Sequence, residues 1–264
     1  MIPSREIREK ARACGVPETT VERDYAQNWL LKYLPTKNMI LKGGTGIRKL
    51  YIANYRFSDD LDFSLLEDLE KNDLEDEISN AVKDAKEESG INFDVSLKIN
   101  ENENGYVVLI HFRVMRNVGN PLKIKLDITN AKKEIIKLPV EKKPIIHPYS
   151  DDYKAEIPAY SLEEIVAEKT RALFERTRPR DLYDVWYLWN RINKEKAVEL
   201  LEEKCRFKGV SIDTSSLIAR KSDFNNAWEN SLRHQLKQLP DFDKTFDDVL
   251  GRIIKGVAEG NDSK

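Results

Sequence analysis

The sequence contains few of the residues that build disulfide frameworks and zinc sites. Its 264 residues include only two cysteines, Cys14 and Cys205, which lie far apart and form no CxxC motif. The three histidines are scattered, without the spacing of metal ligands. These absences exclude a disulfide-stapled fold and a zinc ribbon. We also find no pairing of serine or cysteine with histidine that indicates a covalent nucleophile.

Long apolar runs are missing as well. No segment approaches the roughly 20 apolar residues that cross a bilayer. The N-terminal segment MIPSREIREKARACG has no apolar signal-peptide core. We therefore expect a cytoplasmic protein without a membrane partner. At 40% hydrophobic residues, the chain can bury the core of one large domain or two small ones.

Charge is abundant and balanced overall, but it is unevenly distributed. The chain has 44 Lys and Arg against 46 Asp and Glu, so its net charge of −2 favours no particular partner. Residues 67–88 include ten acidic and three basic side chains, whereas residues 121–143 include seven basic and three acidic ones. A near-neutral total therefore leaves room for a basic face suited to a polyanion.

The pattern of apolar residues changes near residue 150. Before it, helical and strand-like segments alternate; after it, almost every segment has helical spacing. The sequence therefore predicts an α/β domain over residues 1–150 and a helical domain over residues 151–264. The predicted strands of the first domain cover residues 39–44, 61–66, 93–99, 106–114 and 122–129, with a weaker one at 134–140.

A glycine turn between a strand and a helix is the first candidate site. The segment LKGGTGIRKL (41–50) has neither the GxxxxGK[ST] pattern of a Walker loop nor the third glycine of GxGxxG. Both of those phosphate loops are excluded. A short turn into a helix remains, with Thr45 as its expected N-cap. Backbone N–H groups and the helix dipole there favour an anion, although such turns are more often structural.

Aspartates form the second candidate site. Successive side chains of a strand point to opposite faces, so Asp60 and Asp62 share one face. The segment LKIKLDIT (122–129) alternates in the same way and places Asp127 on its polar face. If the two strands are neighbours, the three carboxylates can bind Mg²⁺ and support phosphoryl-type transfer. The alternative is an ordinary solvent-facing strand edge.

The order of these motifs is similar to that of a known family. LKGGTGIRKLY, RFSDDLDF, KLD and EEIVAEKTRALFERTRPRDLYDVWYL follow one another over residues 20–190. Together they resemble the AbiEii/AbiGii toxin family of nucleotidyltransferases. The resemblance implies an α/β fold with a polymerase-β-like nucleotidyltransferase core and a mixed sheet. It also implies that the C-terminal helical domain closes the nucleotide cleft.

The resemblance further implies roles for individual residues. Lys169 would contact the triphosphate and Asp181 would be the base that activates the acceptor. The residues alone also fit a solvated helix face for Lys169 and a stabilised helix N-terminus for Asp181. Asp59 makes the acidic motif DDLD, but strand alternation favours the two later acids as the metal pair. The expected metal ligands are Asp60, Asp62 and Asp127, and the expected nucleotide-binding residues are Lys42, Gly43, Gly44, Thr45, Ser58 and Lys169.

As a function, the resemblance implies Mg²⁺-dependent transfer of a nucleoside monophosphate from an NTP to an acceptor. The expected acceptor is tRNA, and the expected protein partner is an antitoxin with a winged-helix domain. The protein would then be the toxin of a toxin–antitoxin system. Two alternatives stay open: an enzyme of this type that modifies a protein or a small molecule, and a catalytically silent module that binds a nucleotide or a partner.

Overall fold

The computed structural model describes residues 1–115 and 118–262, and for residues 257–262 it describes the backbone only. The chain divides into two units, Met1–Tyr160 and Ser161–Lys264. The division lies after Tyr160 instead of near residue 150, because the strand Glu156–Ala159 pairs into the sheet of the first unit. No helix in the described ranges is long and apolar enough to cross a membrane.

The described residues of the first unit form eight strands, four α-helices and a short 3-10 helix at Ala131–Lys133. Its strands are β1 (Met39–Lys42), β2 (Asp60–Leu65), β3 (Asn92–Phe93), β4 (Lys98–Asn102), β5 (Gly105–Arg113), β6 (Leu122–Thr129), β7 (Glu141–Pro144) and β8 (Glu156–Ala159). Its helices are α1 (Ser4–Cys14), α2 (Glu18–Tyr33), α3 (Gly43–Gly46), which continues as a π-helical turn over Ile47–Tyr51, and α4 (Lys71–Ser89).

The sheet is mixed, as expected. Its order is β3-β5-β6-β2-β1-β8-β7, with β4 paired to β5 outside that path. The central strand β2 is antiparallel to β1 and parallel to β6, while β1 is parallel to β8. Strands β5 and β6 bury every second residue, including Val108, Ile110, Ile124 and Leu126, in a core shared with α1, α2 and α4. The polar residues between them therefore point to the other face of the sheet.

Two predicted strands differ from the observed ones. The single strand predicted at 93–99 is wrong, because the Asp94 side chain accepts a hydrogen bond from the Ser96 amide at 2.9 Å and turns the chain between β3 and β4. The weaker strand predicted at 134–140 is also wrong. Pro139 has no N–H to donate to a ladder, and the next strand, β7, begins only at Glu141.

The second unit is helical in its described part, as the periodicity predicts. The Ser161 side chain caps the first helix by accepting from the Glu164 amide at 3.2 Å, and Pro179 occupies the first turn of the next one. The short helix α8 was not among the predicted elements. The helices are α5 (Leu162–Glu175), α6 (Pro179–Leu188), α7 (Lys194–Lys208), α8 (Thr214–Ala219), α9 (Lys221–Leu232) and α10 (Phe242–Asp262).

A buried ion cluster joins α2 to the helix that follows β1. Asp24 accepts from Arg48 Nε at 2.6 Å, from Lys49 Nζ at 2.7 Å and from the Tyr149 hydroxyl at 2.7 Å. The Arg48 guanidinium also stacks 3.6 Å above the Phe57 ring. Burial by itself would raise the pKa of Asp24, but Arg48 and Lys49 lower it well below its ordinary value. The cluster therefore holds an ionised carboxylate inside the protein.

We expect Asp24→Asn to lower the free energy of unfolding by about 3–5 kcal/mol at pH 7, because Arg48 and Lys49 would keep buried charges without their counterion. Urea denaturation of the wild type and the variant measures this. Folding depresses the pKa of Asp24 below its unfolded value of about 3.8. The contribution of the ionised Asp24 carboxylate to the free energy of unfolding is therefore complete above that pH and is lost as the pH falls below it.

The matched control is Asp76→Asn, which removes an exposed carboxylate from α4. It should change the free energy of unfolding by less than about 0.5 kcal/mol. Equal unfolding curves for the two variants would contradict the assigned role of the Asp24 cluster.

Candidate active site

The pairing of β2 with β6 places the expected metal ligands on one face of the sheet. The two strands are parallel, with Asp62 directly opposite Asp127 and Asp60 opposite Lys125. Neighbouring strands lie about 4.8 Å apart, so residues in register project side by side from the same face. The neighbour relation assumed for these strands is therefore confirmed, and Asp60, Asp62 and Asp127 share one face of the sheet.

Asp127 already has a positively charged partner. Lys125 Nζ lies 2.7 Å from Asp127 Oδ2, and both side chains are partly exposed. Among the described residues, no group of three or more His, Cys, Asp or Glu side chains is gathered closely enough to hold a metal ion. The role of Asp127 as a third metal ligand thus stays a prediction, while its place beside Asp62 is a feature of the fold.

The glycine turn lies directly against the acids. Gly43 has a φ of 70°, in the left-handed region, and a Cβ at this position would overlap Oδ2 of Asp62. A Cβ on Gly44 would lie 2.7 Å from Arg56 Nη2 and 3.1 Å from Ser58 Oγ. Gly43 therefore needs glycine for its backbone conformation, and at Gly44 a side chain would displace Arg56 from the turn. Arg56 is buried here, and the sequence analysis gave it no role.

Lys42 and Thr45, on either side of the two glycines, are both buried. Lys42 is opposite Asp62 in the ladder and occupies the N-cap position, so the expectation that Thr45 caps the helix is wrong. The Thr45 hydroxyl instead donates to the backbone carbonyl of Asp60 and ties the turn to the start of β2. A contact of either residue with nucleotide phosphates stays a prediction.

Helix α2 holds the segment that precedes the acids, which the sequence analysis missed. Gln27 Nε2 donates to the carbonyls of Ser58 at 3.0 Å and Asp59 at 3.1 Å, and Arg23 Nη1 pairs with Asp59 Oδ1 at 2.8 Å. Asp59 is therefore engaged by Arg23. The choice of Asp60 and Asp62 as the metal pair stays a prediction. The available signal was the i, i+4 spacing of Arg23 and Gln27, which places both side chains on one face of α2.

The two functional residues expected in the second unit form an ion cluster. Lys169 Nζ lies 2.6 Å from Asp181 Oδ1 and 3.2 Å from Asp184 Oδ2, and Arg176 Nη2 lies 3.1 Å from Asp181 Oδ2. Burial tends to raise the pKa of Asp181, but Lys169 and Arg176 lower it to about 2. Asp181 is therefore ionised at neutral pH and is a weak base. Asp184, fully buried and one helical turn further on, was missed by the sequence analysis.

Comparisons with known proteins identify the same family as the motifs. The sequence matches the family described as "Nucleotidyl transferase AbiEii toxin, Type IV TA system" over residues 29–252. Comparison with curated protein sequences gave no match. The family assignment therefore rests on the family model, and solved structures show the fold.

Two solved structures have a similar fold. MenT4, a nucleotidyltransferase toxin from Mycobacterium tuberculosis H37Rv, superposes with a TM-score of 0.70 at 17% identity, over 97% of this chain and 90% of that one. A protein from H. pylori described as a nucleotidyltransferase gives a TM-score of 0.63 at 18% identity, over 94% and 99% of the two chains. At such low identity these likenesses establish the nucleotidyltransferase fold, whereas the family match spans most of the sequence. The resemblance expected from the motifs is confirmed: this chain is a nucleotidyltransferase that belongs to the AbiEii toxin family of type IV toxin–antitoxin systems.

Proposed function

We propose that the protein transfers a nucleoside monophosphate from an NTP to tRNA in a Mg²⁺-dependent reaction that releases pyrophosphate. Membership of the family implies an NTP substrate and an antitoxin partner. The tRNA acceptor, the choice of Mg²⁺, a winged-helix antitoxin and a cytoplasmic location belong to the proposal. The observation that carries it is the register of β2 and β6, which sets Asp62 opposite Asp127 and beside the glycine turn.

The glycine turn is the proposed site for the NTP phosphates. Gly43 and Gly44 have no side chains there, so phosphate oxygens can approach the backbone closely. The Arg56 guanidinium lies against Gly44 and adds positive charge, and Ser58 Oγ lies against the same glycine. A fixed guanidinium and a hydroxyl group are suited to phosphate oxygens. Lys42 ends β1 at the same place and adds a second cation to the turn.

The acidic residues fit a hard divalent cation. Carboxylate oxygens are the ligands that Mg²⁺ prefers, and Asp60 and Asp62 would hold it, with Asp127 as the third ligand. When bound, such an ion neutralises phosphate oxygens and stabilises the charge that develops during the displacement. Because Gly43 has no Cβ, the Asp62 carboxylate can lie against the turn that would bind the phosphates. Lys125 holds the Asp127 carboxylate in place through their ion pair.

For the second unit we propose that Lys169 contacts the triphosphate and that Asp181 positions this lysine. A general base works best when its pKa is near the working pH, and the pKa of Asp181 is lowered to about 2. The earlier expectation that Asp181 activates the acceptor hydroxyl is therefore disfavoured on physical grounds. Closure of the nucleotide cleft by the helical domain stays a prediction.

The first prediction from the proposed function tests the reaction and the metal pair together. The protein is incubated with Mg²⁺, total tRNA and each α-³²P-labelled NTP in turn, and label on the RNA is measured. Asp60→Asn and Asp62→Asn should each lower the rate by on the order of 10³-fold or more, because they remove ligands of the ion that stabilises the transferring group. Asp59→Asn is the matched control and should lose less than about tenfold, since Asp59 pairs with Arg23.

Each other outcome of this experiment selects an alternative. Label on a protein instead of tRNA would identify a protein hydroxyl as the acceptor. Label on a small molecule would identify a small-molecule acceptor. Absence of label with every NTP, together with an unchanged toxic effect of Asp60→Asn, would leave a catalytically silent binding module.

The second prediction concerns the role of Asp181. Asp181→Asn should lower kcat/KM for the NTP by roughly 10–100-fold, the loss expected when a charge-assisted hydrogen bond to Lys169 is removed. The acid limb of the pH profile of kcat/KM should remain at the same pH. Its disappearance would instead identify Asp181 as the base.

The control for this experiment is Asp223→Asn, which changes an exposed aspartate on α9. It should leave the kinetic constants unchanged. Thermal unfolding of both variants separates a local effect at Lys169 from general destabilisation of the second unit.

A further inference from the structure

The sheet face that presents Asp60, Asp62 and Asp127 continues along β6 and onto β5 and β4. On β6 it includes Lys123 and Lys125, which lie opposite His111 and Leu109 of β5. Leu109 in turn lies opposite Lys98 of β4. Residues directly opposite one another in paired strands point to the same face. These side chains therefore share a face with Asp127. Those of β5 and β4 lie farther from β1 than Asp127 does.

This part of the face contains cations and amides but almost no acid. Besides the lysines, it presents Arg113 on β5 and Asn100 and Asn102 on β4. Asp127 is the single acidic side chain that strands β3 to β6, all described, present on this face. Helix α4 (Lys71–Ser89), by contrast, is rich in acidic residues. It packs on the core side of the sheet. In a chain with more acidic than basic residues, this surface therefore has a local excess of positive charge.

Two of the lysines have charges available for a partner. Lys98 and Lys123 are both exposed, and neither forms an ion pair within the described part of the chain. Lys125 is different, because it pairs with Asp127. An exposed cation without a counterion can neutralise a phosphate group of a bound polyanion.

The order of the strands places this surface on one side of the acids and the glycine turn on the other. The turn follows β1, the acids lie on β2 and β6, and the surface extends over β6, β5 and β4. At 3.3 Å per residue, Lys123 lies about 13 Å along β6 from Asp127, and Lys98 is two strands away, about 10 Å from the line of β6. An acceptor bound here would approach the acids from the side opposite the proposed NTP site.

We propose that this basic sheet face, defined by Lys98, Asn100, His111, Arg113 and Lys123, binds the strand of the RNA acceptor that leads to its reactive end. The proposal deepens the proposed function and rests on it. Lys98 and Lys123 contact phosphates, the asparagines suit base edges and ribose hydroxyls, and Leu109 with the His111 ring offers surface for unstacked bases.

The test is direct binding of fluorescently labelled total tRNA and of a short single-stranded RNA to the full-length protein. Lys98→Glu/Lys123→Glu should weaken binding roughly tenfold or more at moderate salt. The slope of log K against log salt should become shallower by about 1.4 to 1.8, the value for two lost phosphate contacts. The matched control is Lys71→Glu/Lys83→Glu, the same charge change on exposed lysines of α4. It should weaken binding less than about twofold.

Steady-state kinetics of the same variants separate this inference from the proposed function. For Lys98→Glu/Lys123→Glu we expect KM for tRNA to rise by the same factor as the dissociation constant, with KM for the NTP and thermal unfolding unchanged. If Lys98→Glu/Lys123→Glu transfers nucleotide to tRNA with unchanged KM and affinity for tRNA, the inference is wrong, whereas the proposed reaction is supported. Loss of RNA binding in this variant, in a protein that transfers no nucleotide, would support the surface and refute the reaction.

Two further outcomes would also overturn the inference. One is a wild-type protein that binds neither RNA. The other is a variant that keeps its affinity for RNA but is no longer neutralised by the antitoxin, which would assign the basic sheet face to a protein partner.

Discussion

The buried carboxylate of Asp24 is the interaction on which the first unit's candidate site depends. It holds Arg48 and Lys49, which follow the glycine turn, against helix α2. From the same helix, Gln27 holds the backbone just before β2. One helix thus positions both the turn that would bind phosphates and the segment that leads into the acids. A buried ion cluster suits this purpose because its charges tolerate little displacement from their counterions.

Strand alternation then divides the sheet between stability and chemistry. Every second residue of β5 and β6 is buried in the core with helices α1, α2 and α4, where removal of apolar surface from water stabilises the fold. The residues between them have no such constraint. They present Asp127, Lys125 and the basic sheet face on the other side. A one-residue slip in the pairing of β6 would exchange the two sets, so the hydrophobic core also fixes the register of the acids.

In the second unit, pairing with positively charged side chains determines the ionisation of Asp181. Lys169 is held between Asp181 and Asp184, and Arg176 adds a second positive charge beside Asp181. Such a carboxylate is ionised far below neutral pH, so it orients a cation better than it accepts a proton. The protonation state of Asp181 depends on the helix packing that brings Lys169 and Arg176 to it, and the motif itself does not specify those contacts.

Local patterns in the sequence were sufficient for the motifs, the shared face of Asp60 and Asp62 and the change to helical segments in the second half of the chain. Strand alternation and helical periodicity act over a few residues. The tertiary structure alone placed Asp62 opposite Asp127, turned the polar residues of α2 inward, divided the strand predicted at 93–99 and added β8 to the sheet. These features come from contacts between segments that are distant in the chain. Strand register and the burial of a polar side chain depend on which partner the fold supplies, and no local pattern specifies that partner.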